Sequence, residues 1–480
     1  MTLRRTSGNA VALLTSDVMN RATSFVLYIL VARNLGVHEF GQLALAFTIF
    51  YTFQVCAVAG LKTLIIREIA RDRLQTWSCL VNGWVVVTCT SFASLTALLV
   101  FVRVMHYPAD TARVILLLSL GLLPYALAAV CEATFQAWEQ MRYIAYVNVP
   151  VNVGKIAGAF MLLHGSRGLH TVILIILSSL AAIAIVETGI ILRRFPRHAA
   201  GFDRRIALRM VRSGSTFLAI DAIIAIDSSL GVILLSKLAT ETQVGLYSAA
   251  MQLMVPLSLV YQSAAQSIFP VMCRHADADR GIQSLRQIAE GAMEILLVLA
   301  LPAVAGIFFL GGWALSLVYK SPVFLDGLPA LRILAWLVVF QVFTSVLGQV
   351  LMASRRERIP LRIVAVTVMM NLLLGWPLIS HYGLVGAAVT SILTRLVGCI
   401  QHYVPVSRLF SGISVGRIVW KPLVASACMV AYLALPVARP GVLTGVAAAL
   451  IYAGALLVVT IWVSGGLRPF KAKYLPLLSQ

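Results

Sequence analysis

"SDVMNRATSFVLYILVARNLG", residues 16–36, is an apolar run of membrane-crossing length with an arginine, Arg21, close to its middle. A guanidinium at the centre of a membrane helix costs about 2.5–3.5 kcal/mol on insertion scales. Either a partner neutralises it or it faces water and a ligand. Asp17 stands four residues earlier, on the same helical face, and offers the first answer.

The rest of the chain has the same character. Of 480 residues, 60% are hydrophobic and 12% charged, and the mean hydropathy is +0.92. A soluble domain carries about a quarter charged residues. No stretch is of low complexity, and the apolar runs are continuous and near helix-spanning length, unlike the short alternating strands of a β-barrel. The fold expected is an all-α polytopic membrane protein. The N-terminal "MTLRRTSGNAVALL" resembles a signal peptide in its two arginines, but the apolar run continues past Arg21 to Ala32 without a small-residue cleavage site, so it reads as a retained first span.

Runs of about 20 apolar residues place fourteen spans, at 11–32, 41–61, 80–102, 114–136, 143–164, 169–192, 213–236, 245–270, 288–312, 329–354, 360–379, 383–406, 420–437 and 442–464. The loop charges between them fall into two sets. One side collects 27 Lys and Arg, including "KTLIIREIARDR" (62–73), the seven-arginine stretch 193–212, "RRER" (355–358) and Lys421; the other holds eight, among them Arg33, Lys237 and Arg332. The positive-inside rule then puts both termini in the cytoplasm. The same distribution accounts for the net charge of +20. The basic loops are a topology signal in contact with anionic lipid, and no nucleic-acid partner is expected. "KTLIIREIARDRLQTW" reads as an amphipathic interfacial helix. Arg33 and Lys237, at outer span ends, are expected to snorkel to headgroups. Seven cysteines lie in or beside spans with no CxxC, so they read as small apolar residues, with no disulfide or metal framework.

The opening stretch has an echo. At an offset of 204 residues, "SFVLYILVARNLGVHEFGQLALA" (24–46) lies over "SSLGVILLSKLATETQVGLYSAA" (228–250); Arg33 meets Lys237, Gly41 meets Gly245 and Asp17 meets Asp221. This predicts two parallel six-helix lobes: an N-lobe 1–192, a basic cytoplasmic linker 193–212 and a C-lobe 213–406, followed by two C-terminal helices and a tail at 407–480. Two similar lobes rocking about a midplane site is a transporter plan.

"FVLYILVARNLGVHEFGQLALAFTIFYTFQVCAVAGLKTLIIREIAR" (25–71) resembles the opening of Wzx-type polysaccharide repeat-unit flippases, in the polysaccharide branch of the multidrug/oligosaccharidyl-lipid/polysaccharide (MOP) exporter superfamily. The shared elements are "AR.LG" ending span 1, "FG" opening span 2 and "RE.AR" before span 3. "NLLLGWPLISHYGLVGAAVTSILTR" (371–395) resembles their span 11–12 hairpin, with "YG..GAA" at the turn. The resemblance implies an inner-membrane protein of bacteria that moves undecaprenyl-pyrophosphate-linked oligosaccharide to the outer leaflet for O-antigen, capsule or exopolysaccharide synthesis. It also implies alternating access, contact with membrane lipids, and work alongside a polysaccharide polymerase and other assembly proteins. Related lipid II flippases carry arginine at the position of Arg21; their next arginine, six residues on, is Leu27 here.

Three bases sit at mid-depth, Arg21, Lys155 and Arg395, against one acid, Asp227. A pyrophosphate, with about two negative charges, is met by Arg and Lys through charge-assisted hydrogen bonds, so these three are the candidate substrate-binding residues. Asp17 and Asp221 are candidate pairing or gating acids, and Asp17 with Arg21 is equally readable as a structural pair. Asp227, Asn371, Ser391 and Thr394 supply the hard oxygens that suit Na⁺, in spans where the resemblance implies a cation site, although one family carboxylate there falls near Gly375. No resident cofactor is expected beyond coupling to Na⁺ or H⁺. There is no Walker A or HExxH pattern, so no enzyme is expected. A cation-coupled multidrug exporter of the same superfamily is the nearest alternative, disfavoured by the net basic centre. A membrane-embedded glycan transferase or polymerase is disfavoured by outer loops of at most about 16 residues (313–328).

Overall fold

The computed structural model describes residues 3–163, 168–195, 201–276, 281–354, 356, 358–435 and 439–463, with side chains described from residue 15 onward apart from those of Gln262, Ala276, Arg358 and Leu361. Arg4, Arg5, Arg167, Arg197, Arg280, Arg355, Arg358, Arg468, Lys471 and Lys473 of the charge count lie outside the described residues or side chains.

The described chain is helical throughout, with no strand among the described residues. That follows from the sequence: in hydrocarbon every backbone N–H and C=O must find its partner within the segment, and a helix achieves this locally. Hydroxyl-bearing residues inside the helices follow the same rule. Thr48, Thr52, Thr134 and Thr390 each donate to the carbonyl four residues back. Eleven helices among the described residues are long and apolar enough to cross a membrane.

Contacts divide the chain into two units, Met1–Ser248 and Ala249–Gln480. The first holds α1 (Leu3–Leu35), α2 (Val37–Val58), α3 (Leu61–Arg71), α4 (Thr76–Val104), α5 (Ala109–Ser119), α6 (Leu122–Ala137), α7 (Arg142–Leu163), α8 (Leu169–Arg194), α9 (Arg204–Leu238) and the start of α10 (Glu241–Ala276). Within it α2 is central, packed against α4, α5, α6 and α9, while α1 lies along α7 and α7 along α8. The expected interfacial helix is α3. Its Leu61, Leu64, Ile65 and Ile69 recur at helical spacing and are buried, whereas Arg67 is exposed, so its apolar stripe packs on α6.

The second unit continues with α11 (Gly281–Tyr319), α12 (Leu328–Ala335), α13 (Leu337–Ala353), α14 (Arg358–Leu409), α15 (Val415–Leu433) and α16 (Val442–Val463). The last two helices dock on α11 through Ala425, Met429, Ala448 and Tyr452 against Ala305. Lys421 Nζ donates to Glu294 Oε1 over 2.7 Å, pinning α15 to α11. Lys421, which reads as a loop charge in the sequence, is thus a tie between helices.

α14 is two helices joined by a break at Gly383, whose φ of 51° and ψ of −125° are non-helical. Three residues on, a Cβ at Gly386 would lie 2.0 Å from the Leu378 carbonyl oxygen. The "YG..GAA" pattern therefore has a local physical cause: one glycine takes the left-handed turn and the other lets the returning backbone close over it.

Candidate functional site

The first unit holds a cavity of about 690 Å³, lined from α1, α2, α3, α5, α6, α7, α8 and α9. Its wall is tied where Thr52 Oγ1 of α2 donates to Ser229 Oγ of α9 over 2.8 Å. α7 supplies the polar floor because Asn148, Asn152 and Lys155 follow each other at four and three residues, on one helical face. Asn148 Nδ2 reaches Ser16 Oγ at 3.3 Å and Glu132 Oε1 at 3.4 Å. Lys155 Nζ donates to Asn152 Oδ1 over 2.7 Å. Opposite stand aromatic faces: Tyr28 and Phe47 with ring centroids 5.5 Å apart, and Phe50 and Tyr125 edge-to-face at 6.1 Å.

Three cations belong to this region, and their partners differ. Lys62 Nζ donates to Glu132 Oε2 over 2.7 Å. Arg21 Nε donates to Asp17 Oδ2 over 3.1 Å; Asp17 lines the cavity and Arg21 meets it through that bond. With the two side chains 40% and 57% exposed, such a pair is worth about 0.3–0.5 kcal/mol, too little to hold the guanidinium from a doubly charged ligand. Lys155 has an amide for a partner and no carboxylate among the described residues. Its ammonium is the cavity's uncompensated charge.

Lys62 and Glu132 were not legible as site residues. The sequence presents Lys62 as one of the basic residues that set topology, and Glu132 lies 70 residues away. Only the packing of α3 on α6 brings them together. Breaking this pair tests its weight. With Lys62 41% and Glu132 22% exposed, a double-mutant cycle with Lys62→Met and Glu132→Gln is expected to give a coupling of about 1 kcal/mol in the thermal stability of the purified protein. A coupling near zero would make the bridge incidental. Close by, Glu187 on α8 is fully buried with no hydrogen-bond partner for either carboxylate oxygen among the described residues, and it feels the charges of Glu132 and Lys62.

The remaining sequence candidates are spread over both units. Asp221 is exposed and Asp227 half-buried, both on α9 in the first unit. Arg395 is exposed on α14 in the second unit. Also on α14, Asn371 is buried with Oδ1 lacking a hydrogen-bond partner among the described residues. Thr394 donates its hydroxyl to Thr390 O at 2.9 Å, and Ser391 donates to Ala387 O at 2.9 Å. The Thr394 hydroxyl oxygen keeps lone pairs that a cation can use. No cluster of three His, Cys, Asp or Glu suited to a metal occurs among the described residues.

The wall between α2 and the region where α9 passes into α10 is closed by backbone contact. A Cβ on Gly41 would lie 2.0 Å from the Glu241 carbonyl oxygen and 2.9 Å from Gly245 N, and one on Gly245 would lie 2.3 Å from the Val37 carbonyl oxygen. The two glycines that the repeat superposes touch each other. Side chains flank the contact: Gln42 Nε2 donates to Thr111 Oγ1 at 3.1 Å, and Thr111 donates to Glu241 Oε1 at 3.2 Å. Lys237 corrects its expected role. Rather than reaching for headgroups, its Nζ donates to the Met105 carbonyl and lies 3.4 Å from the centroid of the Tyr107 ring.

Comparisons with known proteins agree with this architecture. A family model described as "Polysaccharide biosynthesis protein" matches residues 7–275. The probable low-salt glycan biosynthesis flippase Agl15 of Haloferax volcanii is 26% identical over 175 residues, which are 36% of this chain and 37% of that protein. The aligned stretch thus spans little more than a third of that relative's length. Among solved structures, the lipid II flippase MurJ in an inward closed conformation superposes with a TM-score of 0.76 at 14% identity, covering 98% of this chain and 99% of that one. An inward-facing multidrug resistance MATE transporter of the MOP superfamily gives 0.69 at 16% identity, covering 84% and 99%. The fold is the one these two solved structures share.

Proposed function

From the membership of this chain in the polysaccharide biosynthesis protein family, we propose that it is a flippase, not an enzyme, that carries a polyprenyl-pyrophosphate-linked oligosaccharide across the inner membrane of a bacterium by alternating access. The observation that carries this reading is Lys155, an ammonium held in a large cavity by an amide alone. An anion supplies what the site lacks, and a cationic drug does not. The oligosaccharide has its own complement in the cavity. The amides of Asn20, Asn148 and Asn152 suit sugar hydroxyls, and the rings of Tyr28 and Tyr51 suit sugar faces. Arg21 adds a second cation once the anion outcompetes Asp17.

In the proposed arrangement α1, α15 and both arms of α14 join the other spans in the bilayer, the chain crosses fourteen times, and both termini are cytoplasmic. Lobes 1–192 and 213–406 alternate. Outward movement of an anion runs down an inside-negative potential, and two uncompensated charges gain roughly 4–5 kcal/mol per 100 mV. For a coupling ion, the side-chain oxygens of Asn371 and Thr394 favour Na⁺, and the Glu187 carboxyl, without a hydrogen-bond partner among the described residues, favours H⁺. The polymerase that consumes the translocated unit is the expected neighbour.

The test is the sidedness of lipid-linked oligosaccharide in cells depleted of the protein, with drug susceptibility measured in parallel. Intermediates confined to the cytoplasmic leaflet, with unchanged drug tolerance, are the expected result. A normal distribution with new drug sensitivity would assign the cavity to multidrug export, and outer-leaflet intermediates left unpolymerised would assign the protein to the transferase step.

A further inference from the structure

We infer that the open end of the α14 hairpin, in the second unit, is a docking groove for an anionic phospholipid of the cytoplasmic leaflet. The two arms are in van der Waals contact at Gly398, where a Cβ would lie 3.3 Å from Thr367 Cγ2. Between that contact and the chain ends of the hairpin lies a groove of about 410 Å³. Its walls are apolar, with Ile363 and Val366 on one arm and Ile400 and Val404 on the other, and its polar groups include Arg362 and Arg408. Both arginines are exposed, and neither has a hydrogen-bond or ion-pair partner among the described residues. No carboxylate lines the groove among the described residues.

Apolar walls by themselves select nothing in a bilayer, because lipid tails are as apolar as the side chains they would replace. Selection must come from the two guanidiniums, which match a phosphate geometrically as well as in charge. The charge asymmetry of the loops puts this end of the hairpin at the cytoplasmic face, and basic pockets between membrane helices on that side take anionic headgroups. A chain lying between Val366 and Ile400 with its phosphate at Arg362 and Arg408 satisfies both halves of the groove. The oligosaccharide-bearing substrate fits it poorly. Gln401 is the one amide among the described residues of the groove, whereas the cavity of the first unit is furnished with amides and hydroxyls. The inference stands independently of the transported substrate.

The experiment uses the full chain in phosphatidylcholine vesicles containing photoreactive phosphatidylglycerol with the reactive group on an acyl chain. Labelling is expected to map to residues 359–366 and 400–408. The double variant Arg362→Gln/Arg408→Gln is expected to lose it there by roughly tenfold or more, while Arg362→Lys/Arg408→Lys keeps most of it. Both arginines are surface residues, so monodispersity and melting temperature should match those of the unmodified protein. If the Gln variant misfolds, photoreactive phosphatidylcholine on the unmodified protein decides the matter. Equal labelling by the zwitterionic lipid would overturn the proposal, and so would undiminished labelling of a folded Gln variant. Displacement by a polyprenyl pyrophosphate at concentrations where phosphatidylglycerol does not compete would also overturn it, by making the groove a substrate entrance.

Discussion

Gly41→Ala is expected to destabilise the protein by about 3 kcal/mol or more and to abolish transport, although it adds one methyl group in a helix. The usual sign of this substitution is the opposite. Alanine is the better helix former by about 1 kcal/mol, and it loses less backbone entropy on folding. Gly189 shows the ordinary case: a Cβ there meets nothing within 4 Å, so Gly189→Ala is expected to be neutral or mildly stabilising. At Gly41 the methyl group would lie 2.0 Å from the Glu241 carbonyl oxygen. The obstacle is backbone, which no side-chain rotamer relieves, so α2 and α10 must separate. Separation breaks the Gln42–Thr111–Glu241 chain as well, and overpacking that forces backbone shifts costs at least 1–3 kcal/mol on its own. Thermal unfolding of purified Gly41→Ala beside Gly189→Ala reads the difference in sign. If the two variants melted alike, the helices would not be in backbone contact in the protein as it exists in detergent.

This contact marks the boundary of what the sequence discloses. The repeat aligns Gly41 with Gly245 and so picks out both residues, but nothing in a one-dimensional match says that equivalent positions touch. Elements fixed by local chemistry were readable. The apolar runs became helices, Asp17 and Arg21 became a pair because four residues make one turn, and "YG..GAA" became the break in α14 because glycine alone takes that turn. Elements fixed by packing were not. Lys62 and Lys237 look like any other loop or span-end cation, and their carboxylate and carbonyl-and-ring partners are supplied by α6, 70 residues away, and by the α4–α5 connection, about 130 residues away. The cavity is legible in outline for the same reason. Lys155 announced itself as a base at mid-depth with no acid on its own helix, whereas the amide floor formed by Asn148 and Asn152 becomes visible only once α7 is known to turn that face inward.

Lys155 carries the second large prediction. Lys155→Gln is expected to reduce translocation at low substrate concentration by about ten- to a hundredfold, the weight of a hydrogen bond to a charged group, about 1.5–3 kcal/mol. Lys155→Glu is expected to abolish translocation, since it sets a carboxylate against the pyrophosphate of the proposed substrate. Stability should move the other way. The ammonium has Asn152 as its partner and, among the described residues, no opposite charge to lose, so removing it relieves a desolvated cation and leaves no orphaned acid behind. Loss of transport with an unchanged or raised melting temperature is therefore the signature of a ligand-binding cation. Lys155→Arg separates charge from shape. A guanidinium keeps the attraction but replaces one ammonium with a planar fork on a longer stem, and partial activity is expected. Should Lys155→Gln transport normally while folded, the anion would have to be met elsewhere, and Lys62 would be the next cation in the cavity to test, after release from Glu132.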